Sequence, residues 1–144
     1  MELLGYVLPM TPRMLGDPDF LSVHGVRLPY MSGAMANGIA CEKLVIAMGE
    51  SGLLGSFGAA GLLPDRIEQA IGEIQLALPE GPYAFNLIHS PAEDAIEQAT
   101  AELFIQKEVR TVEASRKAEA STVRTSFWMK SSATACSIAS SEGL

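Results

Sequence analysis

Apolar residues recur along this chain in short runs and in helical stripes, and the two kinds of segment alternate. LPYM (28–31) is a short extended candidate, and Pro29 favours its start or a sheet edge. CEKLVIAMGES (41–51) has the pattern of a mostly buried helix, with Gly49 and Gly52 as its breakers. LLGSF (53–57) predicts a short apolar strand between glycines. PDRIEQAIGEIQLAL (64–78) predicts the clearest helix: Pro64 suits the first turn, Asp65 favours the positive end of the dipole, and Ile67, Ile71, Ile74 and Leu78 repeat along one face. After a PEGP turn, YAFNLI (83–88) reads as a strand of aromatic and branched residues. The next segment starts with Ser90, Pro91 and Glu93 as a capping box, and Ile96, Ala99 and Leu103 predict its apolar stripe. VRTVEAS (109–115) would be a fourth strand.

The predicted order is βαβαβαβ with short loops. It defines an α/β fold with a parallel sheet, either doubly wound or the first half of a (β/α)8 TIM barrel. A half barrel would leave two open strand edges, which self-association would cover.

In such folds ligands meet the loops that follow the strands. Three segments hold that position: MSGAMANG (31–38), GAAG (58–61) and the run from Asn86 to Ser90. Glycine and alanine there let backbone amides approach a planar ring or a phosphate. The alternative is that Gly33, Ala34 and Ala36 serve tight helix–strand packing and that Asn86 closes a turn. Asn86 can donate and accept at once, which suits a carbonyl-and-NH edge such as that of a flavin pyrimidine. His89, just past the third strand, is a candidate proton donor near neutral pH or a surface histidine beside a helix cap. Glu113, at the end of the fourth strand, would place a carboxylate in the mouth or face solvent. GESGLLGSFGAAG (49–61) is not a dinucleotide fingerprint, because its glycines precede or enter a strand rather than follow one. Met31, Met35 and Met48 read as packing residues.

Charge narrows the partners. The net is −7, which disfavours nucleic acid and anionic membrane surfaces. Apolar windows such as 51–64 are too short and glycine-rich to span a bilayer. No basic leader precedes the first strand, so a cytoplasmic protein is expected. Cys41 and Cys136 lie far apart without neighbouring ligands, so no metal site is expected. Residues 1–115 carry fifteen acidic and six basic side chains, whereas residues 116–144 carry two and four and are dense in Ser, Ala and Thr. Three parts follow: a lead segment (1–27), a barrel-like domain (28–115) and a divergent, irregular tail (116–144). The exposed-looking Phe127, Trp128 and Met129 of that tail fit a terminal segment better than a binding hook.

PYMSGAMANGIA, SGLLGSFGAAGLLPDRIEQAI, GPYAFNLIHSP and VRTVEAS, in this order, resemble the trans-acting enoyl reductase component of polyunsaturated fatty acid and polyketide synthases. That group sits within the nitronate monooxygenase-like family of FMN barrels. The resemblance spans about Leu15 to Ser115, and LGDPDFLSVHGVRLPY and FNLIHSP fit the synthase-associated group. It implies FMN across the mouth of a TIM barrel, NAD(P)H as hydride donor, and enoyl thioesters on an acyl carrier protein as substrate. It also implies that Gly33, Ala34 and Met35 lie against the isoalloxazine, that Asn86 hydrogen-bonds it, and that Glu113 faces the same mouth. In the family the chain continues from VEAS through further strands that hold the phosphate. Here RKAEASTVRTSFWMKSS follows, so the expectation is a truncated or frameshifted member whose activity alone is in question. The competing expectations are nitronate oxidation on the same barrel and a non-catalytic half barrel that pairs as a homo-oligomer.

Overall fold

The computed structural model describes residues 9–89 and 94–114. The Ser90–Glu93 capping box and the 116–144 tail lie outside the described residues, as does the start of the lead segment. The rest of the lead holds a helix that the apolar pattern did not reveal, α1 (Pro18–His24). Asp17 caps it by accepting from the Asp19 N–H at 2.9 Å, and Gly25 ends it in the left-handed conformation at φ 64°.

Four strands follow, β1 (Met31–Ser32), β2 (Leu54–Phe57), β3 (Tyr83–Leu87) and β4 (Val112–Ala114). They alternate with α2 (Glu42–Glu50), α3 (Pro64–Ala77) and α4 (Asp94–Gln106). All neighbouring strands are parallel and the sheet order is β1-β2-β3-β4. A doubly wound sheet reverses its order at a switch point, and this one does not. It winds in one direction, as the first strands of a (β/α)8 barrel do.

Two strands start more than one residue away from the sequence reading. The Tyr30 N–H donates to Leu28 O at 2.8 Å, a tight turn that leaves only Met31 and Ser32 to pair with Leu54 and Gly55. At the other end Glu108 adopts φ 54° and the Val109 N–H closes back on Phe104 O at 2.9 Å. The segment 107–109 therefore terminates α4, and β4 starts only at Val112. Gly49 lies inside α2 rather than ending it, because Leu78 occupies the space a Cβ would need. Gly52, at φ 70°, makes the turn instead.

The main core fills the space between the helices and one face of the sheet. Val45, Ile67, Ile71, Ile74 and Leu78 pack there against Phe57, Phe85 and Val112. The α3 stripe is as expected. On α4 the buried face is displaced by one position: Thr100, Ala101 and Phe104 are buried, Leu103 is partly buried, and Ile96 is 41% exposed. The displacement has a cause in aromatic packing, since Phe104 stacks on Phe85 with ring centroids 5.5 Å apart. The opposite sheet face has a smaller cluster of Val26, Leu54 and Ala84, and Phe20, Leu21 and Met31 close over it. So α1 covers the lower part of the face that the other three helices leave bare.

Glu42, in the first turn of α2, is buried and ion-paired with Arg66 of α3. The Arg66 guanidinium lies 5.9 Å from the centre of the Phe57 ring. Its hydrogen bond to Glu42 holds that carboxyl below its ordinary value of 4.5. A depressed folded-state pKa stabilises the fold above the unfolded value, and the gain fades as pH falls through the folded one. Glu42→Gln should therefore cost about 1–2 kcal/mol at pH 7, a modest figure because Arg66 is 40% exposed. The gap between the urea melts of the two chains should begin to narrow as pH falls past the ordinary value of 4.5 and close only below the depressed folded-state value. A gap that persists in acid would deny the ion pair this role.

Candidate functional site

Alternation along a strand and pairing across strands together place three polar residues side by side. Ser56 shares a face with Leu54, and it pairs with Ala84, which shares a face with Asn86, which pairs with Glu113. All lie on the face turned away from α2, α3 and α4. Towards the C-terminal ends of the strands, the apolar cluster under α1 thus gives way to Ser56, Asn86 and Glu113.

Their contacts form one network. The Ser56 hydroxyl donates to Glu113 Oε2 at 2.6 Å, and Asn86 Nδ2 donates to the Glu113 carbonyl oxygen at 3.4 Å. Ser56 is fully buried and Asn86 is 6% exposed, while Glu113 is half-buried. A charged carboxylate in this setting needs its lone pairs satisfied, and a hydroxyl does that at close range. Among the described residues no cation forms an ion pair with Glu113.

The loops after β1 and β2 are docked on one another at the same end of the sheet. The Asn37 N–H donates to Ala60 O at 2.7 Å, the Gly38 N–H to Gly58 O at 3.0 Å, and the Gly58 N–H to Ala40 O at 3.1 Å. Met35 is committed to this joint, since its carbonyl lies where a Gly58 Cβ would be and accepts from the Ala40 N–H at 3.3 Å. Gly33 is different: it is exposed, and an added Cβ would meet nothing within 4 Å. Packing inside the chain does not explain the missing side chain there. A shallow cavity opens between the β2 loop and α4, lined by Ala59, Gly61, Asn86, Ile88, Glu97 and Thr100 among others.

The structure thus brings Asn86 and Glu113 together and adds Ser56, which sequence reasoning missed. Gly33, Ala34 and Met35 follow β1 in the loop at this end. His89 stands apart from the trio. Its Nδ1 lies 3.0 Å from Glu97 Oε2 on α4, which leaves Nε2 as the ring atom for any other partner. Among the described residues no cluster of His, Cys, Asp and Glu is arranged to hold a metal. None of the described helices is long and apolar enough to cross a membrane.

A parallel sheet wound in one direction, with its connecting helices on one face and loops at the C-terminal ends of its strands, is the architecture of part of a βα barrel. No family model matches the chain. It is 50% identical over 109 residues to a polyunsaturated fatty acid synthase component of a Thraustochytrium species, covering 76% of this chain and 7% of that protein. It superposes on the crystal structure of the enoyl reductase domain of MlnA, from the macrolactin biosynthesis cluster of Bacillus amyloliquefaciens. That match has a TM-score of 0.68 and 39% identity, over 71% of this chain and 24% of that one. A probable nitronate monooxygenase of Bacillus subtilis is 31% identical over 85 residues, 56% of this chain and 24% of that protein. The chain is a homologue of the enoyl reductases of polyketide and polyunsaturated fatty acid synthases. It spans less than a tenth of the Thraustochytrium protein and about a quarter of the MlnA domain.

Proposed function

We infer that the described residues form the flavin-facing portion of an FMN-dependent enoyl reductase of a polyketide or polyunsaturated fatty acid synthase. The observation that carries this reading is the placement of Asn86 and Glu113, both with unspent acceptor atoms, on the sheet face towards the C-terminal strand ends, the same end at which the uncovered Gly33 loop leaves β1. These residues fit a flat ring with a polar edge. Backbone at Gly33 and Ala34 would lie under the ring, and Asn86 would fix its edge. The flavin, when bound, supplies the two-electron relay between NAD(P)H and an enoyl thioester held on an acyl carrier protein. The chain's own part is to orient the ring, keep water from one of its faces and provide a proton for the carbon next to the thioester. His89 Nε2 is the candidate for that proton. The nitronate reading is weaker, because identity to the nitronate monooxygenase is lower than to the enoyl reductase domain.

The test is a titration of the purified chain with FMN, read by absorbance and flavin fluorescence. Saturable binding with the spectrum of a buried isoalloxazine is expected. Asn86→Ala should weaken it by at least about tenfold, the worth of one buried hydrogen bond in this setting. Absence of saturable binding would overturn the reading. Turnover of a crotonyl thioester against a nitronate then separates the two chemistries, and undiminished thioester turnover by His89→Gln would remove His89 from the proton step.

A further inference from the structure

We propose that Ser56 is a positioning residue that holds the Glu113 carboxylate as an acceptor for a ring N–H of the ligand, the N3–H of the flavin. The inference rests on the flavin reading above and goes one step further into the same site.

Three observations lead to it. Ser56 is fully buried in an otherwise apolar strand, where a hydroxyl costs free energy unless it is bonded, and its one bond is to Glu113 Oε2 at 2.6 Å. That bond joins residues 57 apart in sequence and across β3, so it is a product of the sheet register rather than of local structure. It also fixes which oxygen of Glu113 is spent. The other oxygen has no hydrogen-bond partner among the described residues, and neither has Asn86 Oδ1.

Two acceptors side by side with no cation paired to them call for a donor from the ligand. An ionised carboxylate accepts only, and it accepts from a neutral N–H more strongly than a neutral oxygen does. An isoalloxazine has one such N–H on its pyrimidine edge, between two carbonyls. Asn86 could serve a neighbouring atom of that edge only in part, because its Nδ2 is already turned to the Glu113 carbonyl. Without Ser56 the half-buried carboxylate would be free to rotate towards water, and the acceptor would be lost to the ring. Ser56 thus acts through Glu113 and does not touch the ligand.

The experiment compares FMN with 3-methyl-FMN, which lacks this one donor, on the full chain. The ratio of the two dissociation constants is the readout. The wild-type chain should bind the methylated flavin at least about tenfold more weakly. Glu113→Ala should bring the ratio close to one, and Ser56→Ala should lower it part of the way. A purely structural role for either residue would weaken both flavins equally and leave the ratio unchanged. Glu113→Gln, which keeps the volume, guards against a folding defect in the alanine variant and should also lower the ratio. A wild-type ratio near one, or a ratio unmoved by Glu113→Ala, overturns the inference while leaving the flavin reading intact. Failure of FMN itself to bind sinks both.

Discussion

Phe85→Ala should destabilise the chain by about 3–5 kcal/mol and abolish a cooperative urea transition at room temperature. Phe85 is fully buried at the centre of β3 and touches aromatic rings on three sides. Its centroid lies 5.2 Å from Phe57 on β2, 6.0 Å from Tyr83 in an edge-on contact, and 5.5 Å from Phe104 on α4. Truncation would empty a volume bounded by two strands and a helix. Phe57 and Phe85 are paired in register, so the backbone cannot close the gap without breaking the ladder. The loss is large against the roughly 5–15 kcal/mol that holds an ordinary domain together. Phe85→Leu, which refills most of the volume, should cost only about 1–1.5 kcal/mol. If the alanine chain melted at nearly the wild-type urea concentration, the aromatic cluster would not be the organising core.

That core is largely legible in the sequence, because its signals are local. The Ile67, Ile71, Ile74 and Leu78 spacing has one solution, a helix with that face inward, and all four are buried. The order of strands and helices follows from the same kind of pattern. Helix α1 escapes it although its caps are written out as Asp17, Pro18 and Gly25, since seven residues give too short a stripe to stand out. The α4 face is misread by one position because Thr100 is buried there. Its hydroxyl donates to Ile96 O at 2.8 Å, which satisfies it without exposing it. Asn86 and Glu113 stand out as candidates by their places at strand ends. Ser56 is not, because its meaning depends on a register between distant strands, and no spacing along the chain encodes that.

Gly58→Ala and Gly33→Ala should separate the two uses of glycine in the loops. At Gly58 a Cβ would overlap the Met35 carbonyl oxygen and lie 2.5 Å from its carbon. Both are backbone atoms, so no side-chain rotation relieves the contact. The 33–40 loop would have to lift from the 58–60 segment. Its bonds from Asn37 to Ala60, from Gly38 to Gly58 and from Gly58 to Ala40 would then be lost or stretched. At about 1 kcal/mol net for each, the expected cost is about 2–3 kcal/mol in a urea melt. Because Ala34 and Met35 move with the loop, flavin affinity should fall by more than about tenfold as well. Gly33→Ala meets open space and a φ that any residue adopts, so its stability should stay within about 0.5 kcal/mol of wild type. Its flavin affinity should still drop, since the added methyl would stand where the ring is proposed to rest. Equal stability of the Gly58→Ala chain would refute the docking of the two loops. Unchanged flavin affinity in Gly33→Ala would show that the ring does not lie on this loop, and that the small residue after β1 serves something other than the ligand.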